Sequence, residues 1–182
     1  MVMTTCKENA IGAMEIFLMA AVSRGGLNTL YALKQEAGLE PGSIKKAIED
    51  LVEAGLLHRS EGAKRGRRAM AVTDAGERLL VAEWKDSLDP RREVESVLRG
   101  VTVALLMDDI GEAIRFLGES ALERERRQGP HGLGTVPRES TPVDLHSAMR
   151  EIYESRRRKM EAEVLSEFAI NLMEVAKNRK GK

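Results

Sequence analysis

Apolar side chains recur at helical spacing over most of this chain, and the exceptions are informative. Between Asn9 and Ser23 they fall at Ile11, Met14, Phe17, Leu18 and Ala21, one stripe of a helix that Arg24-Gly25-Gly26 should stop. A short second helix is predicted from Asn28, as N-cap, to Ala37, with Gly38 as its stop and residues 39–42 as a turn. A third starts at Ser43 and places Ile44, Ala47, Ile48, Leu51 and Val52 on one face, ending at Gly55. The pattern then breaks. Leu56–Arg59 and Ala69–Val72 read as two strands joined by a basic turn, Gly62–Arg68. Thr73 and Asp74 open a fourth helix reaching about Leu88, with Glu77 spaced to close a capping box on Asp74.

Asp89-Pro90 marks a boundary, and the remainder reads as helical. One stripe runs through Val94, Val97, Leu98, Val101 and Leu105, another through Ile110, Ala113, Ile114 and Leu117. A cap at Asp109 and Glu112 would separate them into two helices. Residues 128–141 hold three glycines and two prolines and read as a loop. The last helix, Val143 to Lys177, carries Met149, Ile152, Tyr153, Met160, Val164, Phe168 and Leu172 as its apolar stripe. The predicted fold is mostly α. Residues 1–88 would form a winged helix-turn-helix with a two-stranded wing, and residues 89–182 a helical dimerisation and candidate effector region.

Composition changes this picture little. The chain of 182 residues is 42% hydrophobic and 32% charged but only 3% aromatic, which favours helices filled by aliphatic side chains and methionine. Trp84 reads as a packing residue. Formal net charge is zero, so any nucleic-acid partner must be argued from where the charges sit. Cys6 is the single cysteine, which leaves no intrachain disulfide and suits a reducing cytoplasm. The apolar run Ile11–Val22 carries Glu15 and is too short to span a bilayer, so a cytoplasmic protein without membrane contact is expected. His58, His131 and His146 lack metal-ligand spacing, and no catalytic set is visible. Neither a metal nor a cofactor nor an enzymatic activity is predicted.

The charges that matter cluster in two places. Ser43, Lys45 and Lys46 lie at the start of the third helix, off its apolar stripe, where a helix N-terminus already favours an anion. Lys64, Arg65, Arg67 and Arg68 crowd the turn between the strands, with Gly62 and Gly66 allowing a close approach to a backbone. Lys and Arg so grouped give salt-dependent phosphate affinity, while a helix in the major groove reads base edges. By contrast, the run Arg156-Arg157-Arg158-Lys159 and the alternating stretch Glu123–Arg127 read as solvated helix faces.

Residues 38–80 resemble the helix-turn-helix and wing of PadR-like regulators, within the broader MarR/PadR-type winged-helix group. The resemblance rests on Pro41-Gly42-Ser43, on Ala54-Gly55-Leu56-Leu57, on the basic wing and on Val72-Thr73-Asp74-Ala75-Gly76. The chain departs from that family at Lys45 and Lys46, where a Tyr-Pro pair is usual, and at Glu49 and Asp50, where basic residues are common. The resemblance implies a DNA-binding transcriptional regulator, a repressor controlled by a small-molecule effector. A winged-helix protein-interaction module without DNA affinity is the alternative. The last helix, about 35 residues and roughly 50 Å long, exceeds what the N-terminal region needs for its own core. That length predicts a homodimer with recognition helices roughly 34–36 Å apart on double-stranded DNA.

Overall fold

The computed structural model describes residues 11–37, 41–60, 69–127 and 142–180. In chain order these form α1 (Ala13–Ser23), α2 (Leu30–Ala37), α3 (Pro41–Glu53), β1 (Leu57–Arg59), β2 (Met70–Val72), α4 (Asp74–Glu83), α5 (Val94–Leu106), α6 (Ile110–Arg127) and α7 (Pro142–Lys180). The protein is mostly helical, with one two-stranded antiparallel sheet among the described residues. It divides into two compact units, Met1–Leu88 with Thr102–Met107, and Asp89–Val101 with Asp108–Lys182. No helix among the described residues is long and apolar enough to cross a membrane.

In the first unit α1 is the core. Its seven residues Ile16–Val22 are all buried, so it is sheathed on every side rather than amphipathic. The stripe expected from Ile11, Met14, Phe17, Leu18 and Ala21 therefore understates its burial, and the helix begins at Ala13 rather than Asn9. α3, α4 and β2 pack against it. α2 starts one residue later than expected: Thr29, not Asn28, is its cap, the Thr29 hydroxyl accepting from the Ala32 N–H at 3.1 Å. Asn28 instead offers its carbonyl to the Met70 N–H at 2.7 Å, adding a backbone tie between the α1–α2 connection and β2.

β1 and β2 pair Leu57 with Val72, His58 with Ala71 and Arg59 with Met70. Leu57 and Met70 are buried while His58 and Ala71 face solvent, the two-residue alternation of a sheet with one covered face. Thr73 locks the sheet to α4. Its Oγ1 accepts from the Gly76 N–H at 3.1 Å and donates to the Gly55 carbonyl at 2.8 Å. Thr73 is thus the cap, and Glu77 does not close a box on Asp74. The Glu77 carboxylate reaches back to α1, taking the Ser23 hydroxyl and the Arg24 guanidinium, the latter at 2.8 Å. α4 lies so close to the chain before β1 that a Cβ on Gly76 would collide with the Leu56 carbonyl. The helix ends at Glu83, short of the expected Leu88, with Trp84 buried and the Lys85 ammonium 5.1 Å from its ring centre.

In the second unit α6 and α7 run antiparallel. Asp108 meets Arg179, Arg124 meets Glu161, and the Arg127 carbonyl meets Arg158, so partner numbers fall as α6 advances. Two helices do replace one across residues 94–127: the Asp109 carboxylate caps α6 by accepting from the Glu112 N–H at 2.9 Å. α6 buries Ala113, Phe116, Leu117, Ser120, Ala121 and Arg124. α7 answers with Ala162, Leu165 and Ala169. Small side chains let the two backbones approach, and this reverses the expected stripe. Tyr153, Met160, Val164 and Phe168 are exposed, at 63%, 60%, 38% and 42%, and only Ile152 and Leu172 of the expected set are half-buried. Met149 lies outside the described side chains. α5 shows a milder rotation: in this unit Val97 and Val101 are buried and Leu98 is exposed, while its last residues belong to the first unit, where Val103 and Ala104 are buried and Leu105 is exposed. Methionine behaves as filler at Met19 and Met70 and not at Met160 or Met173, which face solvent.

Candidate nucleic-acid interface

α3 forms because its sequence satisfies both ends. Pro41 occupies the first helical position, where its missing N–H is no loss, so the helix starts two residues before Ser43. At the other end Gly55 adopts φ +70°, and the Leu56 N–H then bonds to the Leu51 carbonyl at 2.9 Å. Between them Ile44, Ala47, Ile48 and Leu51 are buried and fix the helix's rotation.

That rotation leaves Ser43, Lys45 and Lys46 exposed together over the first two turns. Glu49, Asp50 and Glu53 share the exposed side further along. Lys45 Nζ is 4.0 Å from Glu49 Oε1 with both groups well exposed, a pairing worth a few tenths of a kcal/mol. The gradient opposes the helix dipole, which prefers acids at the N-terminus and bases at the C-terminus. Helix stability is therefore not what selects it.

The hairpin follows α3 after a single tight turn, and α3 packs on β1. The Ser60 N–H bonds to the Ala69 carbonyl at 2.8 Å, which extends the ladder to the mouth of the connecting segment. Lys64, Arg65, Arg67 and Arg68, with Gly62 and Gly66, lie in that segment, outside the described residues. α2, which packs on α3, presents Leu30, Tyr31 and Lys34 at its surface. Sequence patterning did not single out Tyr31, because an exposed aromatic on a short helix has no periodic signature.

Two further expectations meet the structure here. Arg156, Arg157 and Lys159 are exposed, and Glu161 and Glu163 pair with Arg157 and Lys159 one turn on, as a solvated face requires. Arg124, read as part of another such face, is instead 6% exposed. Its guanidinium donates to the carbonyls of Ser120 at 2.9 Å, Arg92 at 2.8 Å and Pro90 at 3.3 Å, and approaches Glu161 at 3.4 Å. Comparison of the chain with protein-family models, with curated proteins and with solved structures finds no match.

Proposed function

We propose that the protein is a sequence-specific DNA-binding transcriptional regulator of the winged helix-turn-helix type, a repressor acting as a cytoplasmic homodimer under small-molecule control. The observation that carries this reading is the exposed Ser43-Lys45-Lys46 face of α3 beside a hairpin whose connecting segment holds four cations. In this reading α3 enters the major groove, where Lys donates to guanine O6 and N7. The segment with Lys64, Arg65, Arg67 and Arg68 holds phosphates and supplies affinity without sequence choice. The PadR-like motifs of residues 38–80 support the same assignment.

Dimerisation belongs to the proposal because a single such domain contacts too few bases to find a site in a genome. The exposed Tyr153, Met160, Val164 and Phe168 of α7 are the surface it would cover. A mobility shift on duplex DNA at low salt is the primary test. The triple variant Lys64→Ala, Arg65→Ala, Arg67→Ala should weaken binding to every duplex alike and reduce the salt slope by roughly one per lost contact. Lys46→Ala should relax preference at one or two positions. Ultracentrifugation should show a dimer at micromolar concentration, and Phe168→Glu a monomer.

A second reading, a winged-helix protein-interaction module, draws on Glu49, Asp50 and Glu53 along the same exposed side of α3. Absence of a mobility shift at any salt concentration would decide for it.

A further inference from the structure

Six arginines converge where the C-terminal end of α6, the middle of α7 and the turn before α5 meet. Arg91, Arg92, Arg124, Arg127, Arg157 and Arg158 line a cleft of about 230 Å³ that lies wholly within the second unit. Four carboxylates, Glu93, Glu123, Glu154 and Glu161, line it too, so cations are in excess.

With Asp89 the carboxylates come to five against six arginines, an excess of one cation, and two of the five are shared. Glu161 serves both Arg124 and Arg157, at 3.4 and 2.8 Å. Asp89, at the start of the turn, serves both Arg91 and Arg92, at 3.1 and 3.8 Å. Arg127 pairs with Glu123 at 3.0 Å and also donates to the Arg91 carbonyl at 3.2 Å, whereas Arg158 is held by the neutral carbonyl of Arg127 at 3.2 Å. A carbonyl orients a guanidinium without cancelling its charge. Each guanidinium has five N–H donors in a planar fork, and among the described residues these bonds leave donors of Arg158 and Arg92 unspent.

Such an arrangement is costly unless something offsets it. Like charges this close repel, and the buried Arg124 beneath them is screened least. Its four contacts make it a fixed floor, with more exposed arginines around the rim. We propose that this cleft is a binding site for a phosphate group, free or carried by a small molecule. The fork geometry of arginine matches a phosphate bidentately, and the volume suits a ligand of metabolite size. The site is independent of α3 and of the hairpin, so it stands or falls separately from DNA binding. If the chain is a regulator, the cleft is where its effector would sit.

Calorimetry on the full-length chain without DNA tests this, with inorganic phosphate, phenyl phosphate and succinate titrated at constant ionic strength set by chloride. Saturable binding of phosphate, with succinate weaker, is expected. Tighter binding of phenyl phosphate than of inorganic phosphate would assign the site to phosphate esters, and the reverse to free phosphate. Arg158→Gln should weaken phosphate binding roughly tenfold, the loss of one charge-assisted hydrogen bond. Glu154→Gln should tighten it, which a merely misfolded or structural cluster would not produce. No saturable heat at millimolar phosphate, or affinity unchanged in both variants, overturns the proposal. A mobility shift run in parallel reports on the DNA reading alone.

Discussion

The two units spend their apolar residues in opposite ways. In the first, α1 is buried on all sides, and α3, α4 and β2 close over it. In the second, α6 buries Phe116, Leu117 and Arg124 while α7 buries Ala162, Leu165 and Ala169, and several large apolar side chains of α7 point outward. Burying a side chain of that size is worth roughly 1.5–3 kcal/mol, so the second unit forgoes stabilisation that the first collects. Beside the buried Phe116, Leu117 and Leu165, this unit leaves Tyr153, Met160 and Phe168 exposed among the described residues, the stripe that the proposed dimer would cover. The first unit exposes Leu30, Tyr31 and Val81, but these do not form a stripe along one long helix.

The largest effect should come from breaking the closed core. Leu18, fully buried in α1, should cost about 2–5 kcal/mol on Leu18→Ala. Val164→Ala should cost under about 0.5 kcal/mol at high dilution, where an exposed position has little to lose. Urea unfolding at two protein concentrations checks both. A Val164→Ala penalty that grows with protein concentration means that a second copy covers the stripe. A large penalty at high dilution means that the stripe is buried within one chain.

Arg124 comes next. Arg124→Ala removes donors from three carbonyls and one of the two partners of Glu161, and is expected to cost about 3 kcal/mol. Arg124→Lys should recover little, because one ammonium cannot span the carbonyls that the planar fork reaches. Hydrogen exchange should show the loss in α6 and α7 and leave α1 protected. Equal deprotection of both units would contradict the separation drawn here.

How much of this was legible beforehand follows the same division. Helix order, the hairpin and the ends at Gly26 and Gly55 were readable because local chemistry decides them. The buried face of α3 was readable because a helix with one covered side has a clean period. The all-round burial of α1 and the inverted face of α7 were not. A helix covered on every side has no stripe to find, and a pattern shows where apolar residues lie, not which neighbour claims them. Arg124 was hidden for a related reason. Its sequence neighbours alternate in charge as a solvated face does, and only the carbonyls of residues distant in sequence identify it as a tie. Of the candidate interface residues, Ser43, Lys45 and Lys46 are exposed, off the apolar stripe of α3. Tyr31 carries no period-based signal.

A smaller effect tests the seam between sheet and helix in the first unit. Thr73→Ala removes both the cap of α4 and the donor to Gly55, and should cost about 1–2 kcal/mol. Thr73→Ser keeps the hydroxyl and should restore most of it. Thermal unfolding of the two variants side by side is sufficient. Equal destabilisation by alanine and serine would assign the loss to the methyl group instead.

The smallest expected effect lies in the turn that brings Arg91 and Arg92 to the cleft of the second unit. The Arg91 backbone N–H, at 3.0 Å, and then the Arg91 and Arg92 guanidinium groups hold the Asp89 carboxyl below its ordinary value of 3.8, against a smaller opposing effect of burial. A carboxyl whose folded value is depressed stabilises the fold above its unfolded value, and that contribution is lost as pH falls through the folded one. Asp89→Asn keeps an acceptor for the Arg91 N–H and removes only the charge. At pH 7 it should destabilise by a few tenths of a kcal/mol, since Asp89 is partly solvated. As pH falls below about 4 the parent loses the same contribution, and the two unfolding curves should converge. A gap that stays constant from pH 7 to pH 3 would mean that the charge of Asp89 plays no part in holding the turn. Arg91 and Arg92 would then be held by the bonds that their carbonyls accept from Arg127 and Arg124.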